Sequence, residues 1–152
     1  MFGKCYSLST APELPATELG RQSYQTMFSY CSSLIQAPQI SATTLATNCC
    51  YQMFISCKNL TAAPSILPAI ELKEGCYAWM FRECSSLLNA PYLPAEHFPS
   101  LPPNSTGPYR SMFAHCSSLS SIDVELKEWG SYENTDAWVL GVAESGIFYK
   151  PE

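Results

Sequence analysis

Met27-Phe28-Ser29-Tyr30-Cys31-Ser32-Ser33-Leu34 is the stretch on which the reading of this chain turns, because variants of it return along most of the sequence. As Met-Phe-x-x-Cys-x-(Ser/Asn)-Leu it recurs at residues 1–8, 53–60, 80–87 and 112–119. The cysteines Cys5, Cys31, Cys57, Cys84 and Cys116 therefore fall 26, 26, 27 and 32 residues apart. A period of about 20 to 50 residues points to an array of similar units, each covering the apolar face of its neighbour, rather than to one closed core.

Each copy is followed by a proline phrase: Ala11-Pro12-Glu13-Leu14-Pro15-Ala16, Ala37-Pro38-Gln39-Ile40-Ser41-Ala42, Ala63-Pro64-Ser65-Ile66-Leu67-Pro68-Ala69 and Ala90-Pro91-Tyr92-Leu93-Pro94-Ala95. Closely spaced prolines exclude a helix interior and suit neither a central strand nor its hydrogen-bond ladder. A short strand at the Ser-Leu-x-x positions, a proline corner and a second extended segment are expected. The next stretch changes period: Leu19, Ser23 and Met27 lie four apart, as do Leu45, Cys49 and Met53, and Leu72, Cys76 and Met80. With the neighbouring stripe Tyr24/Phe28, Cys50/Phe54 and Tyr77/Phe81, this spacing predicts a helix of about three turns in each unit, N-capped by Thr17, Thr43 or Thr44.

The expected fold is thus an α/β solenoid, a right-handed coil of short parallel strands and short helices over residues 1–122, with four to five units. Residues 123–152 read as a C-terminal capping segment, with a turn of helix near Ala137–Leu140 and a last strand near Ile147–Tyr149. The fourth unit is interrupted at 99–108 by Pro-Ser-Leu-Pro-Pro-Asn-Ser-Thr-Gly-Pro, after which Tyr109 resumes the phase. Such an insertion belongs in a loop on one face. Met1 falls on the motif's own Met position, which suggests a chain that begins inside a longer array.

The net charge of −5, with only eight Lys and Arg, argues against a nucleic-acid partner. Every apolar run is broken well short of the roughly 18 residues a membrane span requires, so no membrane insertion is expected. No basic region followed by an apolar run marks a secretory signal at the N-terminus.

The combination of Phe-x-x-Cys-x-Ser-Leu, the Leu-Pro phrase and a return to Phe resembles the BspA-like leucine-rich repeats of bacterial surface proteins. It is most similar to the Cys-x-Ser-Leu-x-x-Ala-Pro-x-Leu-Pro-Ala-Thr-x-Leu variant of gut Bacteroidales and related phages. The resemblance covers residues 1 to about 122, departing at Ile40-Ser41, at Cys50 where Tyr is usual, and in the insertion. It implies a leucine-rich-repeat-like coil, surface display or a place in a phage virion, adhesion to a protein or glycan at a host or bacterial surface, and no catalytic residues.

The eight cysteines admit disulfide, metal and packing roles. Equivalent positions about 5 Å apart do not bring sulfurs to bonding distance, and no C-x-x-C or close His pair offers a tetrahedral zinc site. Cys5, Cys31, Cys57, Cys84 and Cys116 are therefore expected to form a structural ladder of buried small side chains. Cys49 and Cys76 share a position and are expected to approach each other. His115 and Cys116 are adjacent and should point in opposite directions, which disfavours a nucleophile–base pair; His97 reads as solvated. Asn104-Ser105-Thr106 and Asn59-Leu60-Thr61 are taken as chance matches to the N-glycosylation pattern. No enzyme activity, metal or cofactor is expected.

What remains is a binding or adhesion module whose variable positions, Thr10, Gln36, Ala62 and Asn89, meet a partner, joined by Asn104 of the insertion and by Tyr109. The alternative is a structural spacer within a longer fibre or surface protein, self-associating through uncapped ends.

Overall fold

The computed structural model describes residues 1–151, and of Tyr132 the backbone alone. Regular secondary structure is scarce. Among the described residues it consists of β1 (Ser121–Asp123), α1 (Tyr132–Thr135) and β2 (Ile147–Tyr149), with β1 and β2 paired in parallel through Ser121↔Ile147, Ile122↔Phe148 and Asp123↔Tyr149. This overturns the expected α/β solenoid of strands and helices, and the leucine-rich-repeat description falls with it: a two-stranded sheet and one four-residue helix do not make that architecture.

The physical reason for the missing helices lies in residues 20–31. Ser23, Gln25, Met27, Ser29 and Cys31 donate their N–H groups to the carbonyls three residues back, whereas Gln22, Tyr24, Thr26, Phe28 and Tyr30 donate sideways to Thr47, Cys49, Tyr51, Met53 and Ile55. A helix would send every N–H to the residue four back. Positive φ recurs at every fourth residue, at Gln22, Thr26 and Tyr30, and likewise at Asn48, Gln52 and Ser56. Each such residue is third in a four-residue turn, where a type II turn demands the left-handed region. The chain here is a run of turns with a four-residue period, and that period places side chains in the same stripes as a helix does. Thr17 does not cap a helix; its carbonyl accepts from the N–H groups of Thr43 and Thr44.

The strands stay short for a second reason. Thr10, Gln36, Ala62, Asn89 and Ser121 are joined in parallel, but each pairing outside the small sheet is a single bridge. In the first four segments Ala-Pro follows immediately, and proline has no N–H with which to extend a ladder. In the fifth, Ile122-Asp123 stands in place of Ala-Pro, and there the bridge grows into β1.

The core runs through the chain as rows of like residues. The rings of Phe2, Phe28, Phe54, Phe81 and Phe113 lie nearly parallel with centroids 5.4–5.8 Å apart, the offset-stacked geometry that aromatic quadrupoles favour. Trp138 follows Phe113 at 6.2 Å, and Trp129 and Phe148 close over Trp138. Leu34, Leu60, Leu87 and Leu119 form a buried row beside the rings.

After the insertion the sideways bonding resumes, with Gly75, Tyr77 and Trp79 donating to Thr106, Pro108 and Arg110. Gly107 presses against the Glu133 carbonyl so closely that a Cβ has no room. Gly146 meets the Ser120 carbonyl in the same way, which lets Ile147 donate to that oxygen at 2.7 Å.

Candidate functional site

The thiols are placed by backbone chemistry. Cys31, Cys57, Cys84 and Cys116 are fully buried, and each Sγ donates to a phenylalanine carbonyl of the preceding segment: Phe2, Phe28, Phe54 and Phe81, at 3.0–3.1 Å. Each of those carbonyls also accepts the N–H of its own segment's cysteine, so both lone-pair directions are used. Burial pushes the Cys57 and Cys116 thiols up to about 12, and Cys84 is raised by burial and by its Cys116 and Cys57 neighbours. Thiols so held are neutral and poorly nucleophilic. Cys5 is exposed.

Cys49, Cys50 and Cys76 are also buried and free. Cys49 Sγ reaches toward the Cys76 carbonyl at 3.9 Å, and its contact with the Cys50 thiol holds Cys49 below the ordinary thiol value, so that it ionises more readily, while pushing Cys50 up, so that it ionises less readily. Among the described residues no group of three His, Cys, Asp or Glu side chains is arranged to hold a metal ion.

His115 is exposed while the adjacent Cys116 is buried, so the two side chains do not meet as nucleophile and base. His97 is exposed beside Glu96, at 3.9 Å.

Thr10, Gln36, Ala62 and Asn89 are brought together, bridged in one line and all exposed. Next to them the preceding positions carry Ile35 and Leu88, 57% and 50% exposed, which sequence reasoning passed over. Their signal was present: each stands between the motif's buried leucine and a variable position of the bridged line. Asn104 is exposed in the turn 102–105, at φ 65, where its left-handed conformation follows Pro103 as a type II turn prefers. Tyr109 corrects an expectation. It is 1% exposed, between Tyr77 and Trp138 at 6.3 and 6.1 Å, and offers no surface to a partner.

The insertion shapes two clefts that share the ridge His97-Phe98-Pro99. One, of about 480 Å³, lies between residues 70–73 and 94–99 and carries the Glu71–Lys73 pair, at 3.6 Å, together with Glu96. The other, of about 340 Å³, lies between residues 97–101 and the C-terminal segment at Glu128, Gly130, Ser131 and Asn134. On another surface the Arg110 guanidinium stands 5.4 Å over the Trp79 ring and pairs with Asp136 at 3.1 Å, with Tyr51 edge-on to Trp79. No helix among the described residues is long and apolar enough to cross a membrane.

Comparison with known proteins gives no match: no family model, no curated protein and no solved structure aligns with the chain.

Proposed function

We propose that this chain is a non-enzymatic binding module that recognises a protein or glycan partner at a host or bacterial surface. The observation that carries the reading is the division of the side chains. From Phe28, Cys31 and Leu34 onward the Phe, Cys and Leu rows are buried and alike from segment to segment, whereas the bridged line Thr10, Gln36, Ala62, Asn89 is exposed and differs at each position. A fixed interior with varied exposed positions is how specificity is grafted on a scaffold. The clefts beside the insertion add concave surface to one part of that exterior. The motif's resemblance to bacterial surface proteins favours display on a cell exterior or a phage virion.

Screening the chain against extracellular proteins and glycans, with a second sample lacking 99–108, tests this reading. Binding by the intact chain is expected. Absence of any partner in both classes would sink it. The spacer reading draws on the sideways backbone bonding, which leaves the N–H groups of the outermost segment at Ala137 and Val139 without a described acceptor. Concentration-dependent association in sedimentation experiments, without binding to any foreign partner, would favour the spacer.

A further inference from the structure

The buried rows change character in the last segment. Phe113 donates its N–H to the Trp138 carbonyl and Ser121 pairs with Ile147, so Val139 stands where the other segments have phenylalanine, Val142 where they have cysteine and Ser145 where they have leucine. Leu34, Leu60, Leu87 and Leu119 are buried, whereas Ser145 is exposed. Two of these exchanges, Val for Phe and Ser for Leu, take volume away from an interior that is otherwise filled. They leave a hollow of about 190 Å³ whose walls include Leu119, Ile122, Val139, Val142, Ile147 and Phe148. No charged side chain lines it, so it offers an ionic group nothing in exchange for water.

Beside the hollow runs an open strand edge. Ile147 donates to the Ser120 carbonyl, and the Tyr149 carbonyl accepts from Val124, so these two residues turn their backbone groups toward β1. Alternation then points the Phe148 N–H and carbonyl the other way, and no strand lies on that side among the described residues. All three residues of β2 are exposed, with neither a proline nor a charge among them to blunt the edge.

The molecule shows what belongs in such a place. In each of four earlier segments a leucine fills the row, and the residue two further on is bridged in parallel: Leu34 with Gln36, Leu60 with Ala62, Leu87 with Asn89 and Leu119 with Ser121. A side-chain socket next to a free backbone edge is the pattern of strand addition, in which main-chain bonds hold an extended peptide and a pocket selects its side chain. An acyl chain would fill the hollow and leave the Phe148 N–H and carbonyl unused.

We propose that the last segment docks an extended peptide of a partner protein as an added strand on β2, with an aliphatic side chain of leucine size in the hollow beside Ser145. None of these residues belongs to the exposed line Thr10, Gln36, Ala62, Asn89, so the two surfaces stand or fall separately.

The probe is the copy of the leucine phrase that lacks the proline, residues 117–124 of this chain, made as a capped peptide and titrated into the whole ¹⁵N-labelled chain. Saturable amide shifts at Val142, Ala143, Gly146 and Phe148 are expected, with the Phe148 amide protected from solvent exchange. A peptide carrying Leu119→Ser should bind roughly tenfold or more weakly, as loss of a buried leucine side chain requires. In the chain, Ser145→Leu fills the hollow from within and should weaken the peptide by a similar factor, while Ser145→Ala leaves the affinity unchanged. Equal affinity in both variants would overturn the hollow. Shifts confined to Gln36, Ala62 and Asn89 would overturn the edge while leaving a binding module intact. Shifts at the β2 amides on concentrating the chain alone, with no further response to peptide, would give the edge to a second copy and overturn the proposal. A response to octanol without one to the peptide, or no saturable shift at all, overturns it as well.

Discussion

The Cys57 thiol donates to the Phe28 carbonyl oxygen at 3.1 Å, an atom that already accepts the Cys31 N–H. Because that oxygen keeps one donor when the thiol is removed, Cys57→Ala should cost only about 1 to 2 kcal/mol, from lost packing and a weak hydrogen bond. Cys57→Leu adds volume to a closed interior and should cost more, about 2 to 3 kcal/mol. Urea denaturation of the two variants measures both. In the native protein a maleimide should label Cys5 at once and the seven buried cysteines only after unfolding; rapid labelling of Cys57 or Cys84 would contradict their burial.

Stability should fall at alkaline pH. Burial raises the Cys57 and Cys116 thiols from the ordinary value near 9 to about 12 in the folded chain. Below pH 9 the thiols are neutral folded and unfolded, and the full stability is present. Between about 9 and 12 only the unfolded chain ionises, so each thiol removes stability at about 1.4 kcal/mol per pH unit until the folded value is passed. Urea midpoints at pH 8 and pH 10 should differ accordingly, and by less in Cys57→Ala. Equal midpoints would exclude the effect.

Thr26 carries φ 52, a left-handed conformation that a β-branched residue adopts at a cost of about 1 to 2 kcal/mol. Glycine removes that cost and adds about 0.5 to 1 kcal/mol of backbone entropy, so Thr26→Gly should stabilise by about 0.5 to 1 kcal/mol. Gln25→Gly, at the adjacent position without positive φ, should destabilise by a similar amount. Thermal melts that move both variants in the same direction would count against the turn geometry.

Amide exchange distinguishes the run of turns from a helix. Ser23, Met27 and Cys31 bond within their segment, while Tyr24, Phe28 and Tyr30 bond to the neighbouring one. Mild denaturant that loosens contacts between segments should release Tyr24, Phe28 and Tyr30 first, giving protection that alternates along the chain. Uniform loss across 22–31 would fit a helix instead.

The buried rows were legible because the motif fixes Phe, Cys and Leu at positions that recur together, and side chains so placed need only one kind of surroundings. The path of the backbone was not. Leu19, Ser23 and Met27 are four apart in a helix and in a run of type II turns alike, and Gln22, Thr26 and Tyr30 are none of them the glycine that would have announced positive φ. At Ala37-Pro38 the sequence pointed to a strand near a corner, but proline's missing N–H limits the pairing at Gln36 to one bridge. Of the candidate positions, the exposure of Thr10, Gln36, Ala62 and Asn89 was legible in their variation, while Tyr109 misled because its place beside the insertion was given more weight than its phase, which is that of the buried Tyr77. Asn134 carried no sequence signal; only folding brings it opposite Phe98.

The sideways bonds from Gln22, Tyr24, Thr26, Phe28 and Tyr30 to their partners at 47–55 all span the same gap between two segments. A tension that draws those segments straight apart loads the five bonds and the Phe28–Phe54 ring contact together, so none can yield without the rest. Tension from one end of the row meets them singly, as teeth of a zipper. The molecule is therefore mechanically anisotropic, firm against a pull shared along the row and compliant to one that peels it from an edge.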